Sequence, residues 1–112
     1  MRWKPKMKRT LPGEVWRVDF GLAAKVRPAL ILSDYPADDE LALLMVIPHT
    51  TAVRGNRWEL TVRKPFLKPG AFHLQQIQPI PLVRFDFRLG ALTLDEFKNV
   101  KQTLIRLLNL QV

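Results

Sequence analysis

Two short, unbroken apolar runs, Ala29 to Leu32 and Leu41 to Ile47, constrain this chain more than any other feature. Each is short for a core helix and is bounded by turn-forming or polar residues, the pattern of strands buried on both faces. Val26-Arg27-Pro28 opens the first run, and Pro48-His49-Thr50-Thr51 closes the second. Pro28 biases Arg27 toward extended backbone, so the arginine sits at a loop-to-strand junction. If the two strands are neighbours, Arg27 and the threonine pair meet at one rim of a small sheet. Arginine brings a permanent charge and a planar fork of donors that suits phosphate. A threonine hydroxyl can bond a phosphate oxygen.

The rest of the chain reads as more strands and one helix. Pro12-Gly13 is a turn signal. Trp16, Val18 and Phe20 then alternate with Arg17 and Asp19, which predicts a half-buried strand. Gly21 to Lys25 and the acidic stretch Asp34 to Glu40 read as loops. Arg54-Gly55-Asn56 marks a turn, and Trp58, Leu60 and Val62 alternate with polar residues through Arg63, the cleanest strand signal present. After Pro69-Gly70, Ala71 to Ile77 predicts a strand. Pro79 and Pro81 cannot donate to a ladder, so that piece ends at an edge or bends away. Val83 to Phe87 predicts a last short strand. Thr93-Leu94-Asp95-Glu96 then fits a capping box, with Leu92 and Phe97 as its staple. Leu94, Phe97, Val100, Leu104, Leu107 and Leu108 recur at helical spacing and predict a helix packed on the sheet. The expected architecture is mainly β with a C-terminal α-helix: a small, strongly bent antiparallel barrel.

Length and charge narrow the setting. With 112 residues, one domain over 13–112 is expected, behind a basic tail over 1–12. Net charge is +8, and Arg2, Lys4, Lys6, Lys8 and Arg9 supply +5 of it with no acid among them. The tail reads either as a solvated arm or as a contact for RNA or a partner, since basic surfaces attract polyanions. With no cysteine, disulfide frameworks and thiolate metal sites are excluded. Two histidines are too few for a histidine-only zinc site, and no metal or cofactor is expected. No apolar run approaches the roughly 20 residues a membrane span needs. No apolar stretch follows the basic N-terminus, so a secretory signal is not expected, and a cytoplasmic protein is.

Gly13-Glu14-Val15-Trp16-Arg17-Val18-Asp19-Phe20, Arg27-Pro28-Ala29-Leu30-Ile31-Leu32-Ser33 and Val46-Ile47-Pro48-His49-Thr50-Thr51, in that order, resemble the MazF/PemK family of bacterial toxins. The resemblance continues through Gly70 to Ile77 and the C-terminal helix. It implies an SH3-like barrel of the CcdB/PemK type that forms a homodimer. It also implies a metal-independent, sequence-selective endoribonuclease of single-stranded RNA, held in check by a cognate acidic antitoxin, with which such toxins bind DNA. Such an enzyme lets the ribose 2′-hydroxyl attack the adjacent phosphorus, leaving a 2′,3′-cyclic phosphate and a 5′-hydroxyl.

The family motifs put the catalytic arginine at Arg27 and the catalytic threonine at Thr50, with Thr51 as a neighbouring RNA contact. His49 is a candidate proton carrier. Successive strand residues face opposite sides, however, so His49 and Thr50 share a phosphate only if the strand bulges or turns after Pro48. His73 and Gln75 stand where some family toxins have Arg and Asp. Either His73 then moves protons, or Arg27 and Thr50 act mainly alone, or cleavage is weak or absent. Gly21 to Lys25 is shorter than the family's usual loop. Lys25, Arg54, Asn56, Arg57, Arg84 and Arg88 are candidates for a phosphate track, and Asn56, Gln75 and Gln76 for contacts to splayed bases. Trp58 is assigned to the core. The alternative function is a non-catalytic member of the fold that binds RNA, antitoxin or DNA gyrase.

Overall fold

A computed structural model describes residues 9–21 and 26–111. Lys25 and the tail through Lys8 lie outside the described residues. Seven strands and one helix follow in chain order: β1 Glu14–Asp19, β2 Val26–Ile31, β3 Leu43–Thr50, β4 Glu59–Leu60, β5 Ala71–His73, β6 Gln78–Pro81, β7 Phe85–Ala91 and α1 Leu94–Leu107. All the strand pairings are antiparallel, in the order β4-β5-β3-β2-β1-β7, with β6 also on β3.

The two apolar runs became neighbours. Ala29 pairs with Pro48, Leu30 with Ile47 and Ile31 with Val46. Strand alternation then splits their side chains between two cores. Val15, Leu30 and Ile47 face one core together with Phe72, Leu74, Val100 and Leu104. Trp16, Val18, Ala29, Ile31, Leu44, Val46, Ile80 and Phe85 form the other. With both faces buried, these strands read as continuous apolar runs.

The helix has the expected start. The Thr93 hydroxyl accepts from the Glu96 amide at 3.1 Å, and the Glu96 carboxylate accepts from the Thr93 amide at 2.8 Å. Lys64 Nζ adds a 2.7 Å ion pair to the same carboxylate, which holds Glu96 below the usual carboxylate range. The stripe departs from expectation at its ends. Leu94 is 89% exposed and Leu108 44%, while Thr103 is buried in the face and bonds the Asn99 carbonyl.

Three further expectations are corrected. Among the described residues the sheet does not close into a barrel: β7 pairs only with β1, and β6 only with β3. Leu82 N–H donates to Ala42 O, so by alternation Ile80 also points its N–H at β3. Pro79 and Pro81 are left on the outer edge, where neither has a donor for a further strand. The strand expected from Trp58 through Val62 is only Glu59–Leu60, because its partner β5 is three residues long and offers only Phe72 and His73. Trp58, Leu60 and Val62 still pack on the first core. The run Ala71 to Ile77 breaks at His73 into a 3-10 turn, Leu74–Gln76, whose Leu74 is fully buried. At the other end of the chain Thr10 is already buried, and Leu11 N–H bonds the Glu14 carboxylate, so packing begins ahead of Gly13.

Candidate functional site

The β2–β3 ladder ends at Ala29 opposite Pro48. Counting on in the same register sets Pro28 opposite His49 and Arg27 opposite Thr50. Each strand then keeps a different neighbour. Arg27 stays paired with Val18 of β1, while His49 and Thr50 pair with Phe72 and Ala71 of β5. The strands part, and a cleft of about 580 Å³ opens between them. Arg27 and Thr50 both line it, as do Thr51, His49, Val26 and Pro28. Phe66, Lys68, Arg17 and Leu89 close it from neighbouring segments.

The polar groups are set up for an anion. Thr50 Oγ1 accepts the Ala52 N–H at 3.0 Å, which fixes the side chain and leaves its O–H to donate. Arg17, Arg27 and Lys68 contribute positive charge, and among the described residues no carboxylate lines the cleft. Arg17 is ion-paired with Asp86 and lies 5.6 Å from the Phe87 ring centre. Among the described residues, neither Arg27 nor Lys68 has an ion-pair partner.

His49 is 3% exposed, and its Nε2 has no hydrogen-bond partner. Its ring meets Phe72 edge to face at 5.1 Å. Burial pushes its pKa down, which favours the neutral imidazole. The strand is regular through Thr50, so alternation does send His49 and Thr50 to different sides. Both still border the cleft because it lies at the strand ends, where β2 no longer covers β3.

The other sequence candidates are dispersed. His73 is half-buried on β5 opposite Glu59, outside the cleft lining, and its Nε2 has no partner either. The Glu59 carboxylate collects the backbone N–H groups of Arg54 and Asn56 at 2.9 and 3.0 Å. The Arg54 bond leads in lowering its pKa, with the charge of His73 also contributing. Arg54, Asn56 and Arg57 are thus fixed in one exposed loop, with Arg57 over the Trp58 ring at 4.3 Å. Gln75 and Gln76 are exposed on their 3-10 turn. Arg84 lies 3.9 Å from Asp19, and Arg88 Nε donates to Glu14 at 3.1 Å. None of these lines the cleft.

Arg17, Ala52, Phe66, Lys68 and Leu89 are the lining residues that sequence reasoning did not identify. Lys68 had one available signal: it immediately precedes the Pro69-Gly70 turn that returns the chain to Thr50's partner, Ala71.

The sequence matches the family of PemK-like, MazF-like toxins of type II toxin-antitoxin systems over residues 11–108. No curated protein matches it significantly. Among solved structures, a MazF from Deinococcus radiodurans superposes with a TM-score of 0.78 at 20% identity, covering 92% of this chain and 99% of that one. A MazE–MazF complex from the same organism gives 0.76 at 21% identity, with 91% and 97% covered. An endoribonuclease in complex with its cognate antitoxin, from a mycobacterial species, gives 0.76 at 22% identity, with 92% and 98% covered.

Proposed function

The chain belongs to the PemK-like, MazF-like toxins of type II toxin-antitoxin systems, and from that premise we propose that it is a metal-independent endoribonuclease of single-stranded RNA. The observation that carries this reading is the convergence of Arg27 and Thr50 on one carboxylate-free cleft. In the proposed reaction the ribose 2′-oxygen bonds to phosphorus and the bond to the 5′-oxygen breaks. The 2′-hydroxyl proton is lost, and the leaving oxygen gains one. Arg27 stabilises the charge that builds on the nonbridging oxygens. The Thr50 hydroxyl donates to the same phosphate and holds it in line, and Lys68 and Arg17 attract the flanking phosphates.

The open sheet edges and exposed apolar side chains suit a homodimer. The positive cleft suits an acidic antitoxin segment laid across it. Endoribonucleases and MazF proteins with bound antitoxin, named among the structural relatives, support both the activity and that partner.

The test is cleavage of single-stranded RNA in EDTA, with the fragment ends identified. Wild type leaves cyclic phosphate and 5′-hydroxyl ends. Arg27→Ala loses roughly a hundred- to thousandfold in rate while its melting temperature holds. Wild-type rates in Arg27→Ala refute the mechanism. Gln75, exposed and without a carboxylate, favours one alternative, a member that binds RNA, antitoxin or DNA gyrase without cutting. Intact RNA in arrested cells selects it.

A further inference from the structure

Two of the cleft's lining side chains are aromatic rings, and each is seated against a glycine. A Cβ at Gly90 would lie 2.6 Å from Phe66 Cζ, and one at Gly70 would lie 2.8 Å from His49 Cε1. Neither glycine has a positive φ; only Gly13, Gly21 and Gly55 do. Gly90 therefore provides room for the Phe66 ring, and Gly70 for the Thr50 carbonyl and the His49 ring, rather than an unusual backbone. Val26, Pro28 and Leu89 extend the same wall as apolar surface. Phosphate has no use for such a wall.

His49 adds an unmet polar requirement. It is almost fully buried, and Nε2 bonds nothing. A buried polar atom without a partner is uncommon and costly, and a ligand that supplies the partner removes the cost. The uncharged imidazole has one donor and one acceptor nitrogen, the same equipment that a nucleobase edge presents. The cleft's volume of about 580 Å³ falls in the range of sites that enclose organic ligands, commonly about 300–1,000 Å³.

We propose that this wall is a slot for one nucleobase of the bound strand. Phe66 contacts the base's face, His49 hydrogen-bonds its edge, and Arg27, Thr50 and Lys68 hold the adjoining phosphate. The proposal rests on the ribonuclease reading and adds to it the residues that select the base beside the cut. Sequence preference then arises in the cleft itself, from a histidine adjacent to the phosphate-binding threonine.

Equilibrium binding of the four nucleoside 3′-monophosphates and of inorganic phosphate tests it, with wild type, Phe66→Leu and His49→Gln checked for folding by circular dichroism. At least one nucleotide binds wild type tenfold or more tightly than inorganic phosphate, as base–aromatic stacking implies. Phe66→Leu loses most of that advantage at unchanged phosphate affinity, and His49→Gln narrows the differences among bases. If His49→Gln fails to fold, the His49 imidazole resonances of wild type give the same information by shifting on titration. Nucleotides that bind no better than inorganic phosphate, an advantage that survives Phe66→Leu, or imidazole signals blind to every base overturn the proposal. RNA cleavage by the same preparation is read separately. Base-dependent binding without cutting removes the nuclease and keeps the slot, and cutting with base-blind binding does the reverse.

Discussion

Gly70→Ala is a one-methyl test of how the site is held together. Two effects oppose each other. Alanine restricts the unfolded chain, which stabilises a protein by about 0.4–1 kcal/mol wherever the native backbone accepts it. The Gly70 φ is not positive, so the backbone does accept it. Space does not. The added carbon would fall well inside contact distance of the Thr50 carbonyl oxygen and 2.8 Å from His49 Cε1, where carbon atoms normally rest about 3.5–4.0 Å apart. Both neighbours are constrained, Thr50 by its pairing with Ala71 and His49 by its own burial. Overpacking a site that cannot relax costs about 1–3 kcal/mol, and a backbone obstacle argues for the upper end. The net loss is then about 2 kcal/mol, or a melting temperature lower by about 10 °C for a domain of this size.

Gly55→Ala is the internal control. Gly55 has φ +82°, with nothing within 4 Å of the added carbon, so it carries only backbone strain of about 1–2 kcal/mol and should leave the cleft intact. Thermal and urea unfolding of both variants, with RNA cleavage per folded molecule, separate the two costs. A Gly70→Ala protein as stable as wild type refutes the steric argument. A destabilised one that cleaves normally refutes a role for this contact in holding the site.

Thr93→Ala removes the N-cap hydroxyl but leaves the Lys64–Glu96 pair, and it should cost about 1 kcal/mol in urea unfolding without changing cleavage per folded molecule. His49 should make stability depend on pH. Its folded pKa lies below the usual 6.5, so its contribution is complete above about 6.5 and is lost as pH falls through the lower folded value. Urea unfolding between about pH 7.5 and 5 should therefore show a decline that is flattened in His49→Gln. Glu59 and Glu96, both lowered from 4.5, lose theirs in a separate, more acidic window.

What was legible in the sequence was whatever a short stretch decides by itself. The two apolar runs announced buried strands, and the register between them carried Arg27 to Thr50. Thr93 and Glu96 announced the helix start because a capping box is closed within four residues. Length was less legible where it depends on the partner: Trp58 to Val62 has a strand's alternation, but β5 offers it only two residues to pair with. Charge was least legible. Arg54, Arg57, Arg84 and Arg88 look like a basic track in sequence, yet they spread over a loop, the 3-10 turn Leu82–Arg84 and an edge strand. Arg17 reaches the cleft from β1, opposite Pro28, and Lys68 only through the packing of a more distant segment. Phe66 is found only once Gly90 is seen beneath its ring.

The cleft exists because one strand changes partners. β3 pairs with β6 through Leu43 to Val46 and with β5 at His49 and Thr50. The change falls near Pro48, which has no N–H to give a ladder. Beyond that point β3 leaves β2, and a continuous sheet would otherwise have buried Arg27 and Thr50 against each other. The divergence exposes their polar ends together while both strands remain anchored, Arg27 through Val18 and Thr50 through Ala71. A cation and a hydroxyl held by two separate ladders cannot drift independently of the core, which is the preorganisation that charge stabilisation in a transition state requires. The same divergence leaves His49, almost fully buried, on the cleft's lining. Phosphate grip and base slot are then two faces of one parting of strands, and a change that re-zips β2 onto β3 should abolish both at once while making the fold more stable.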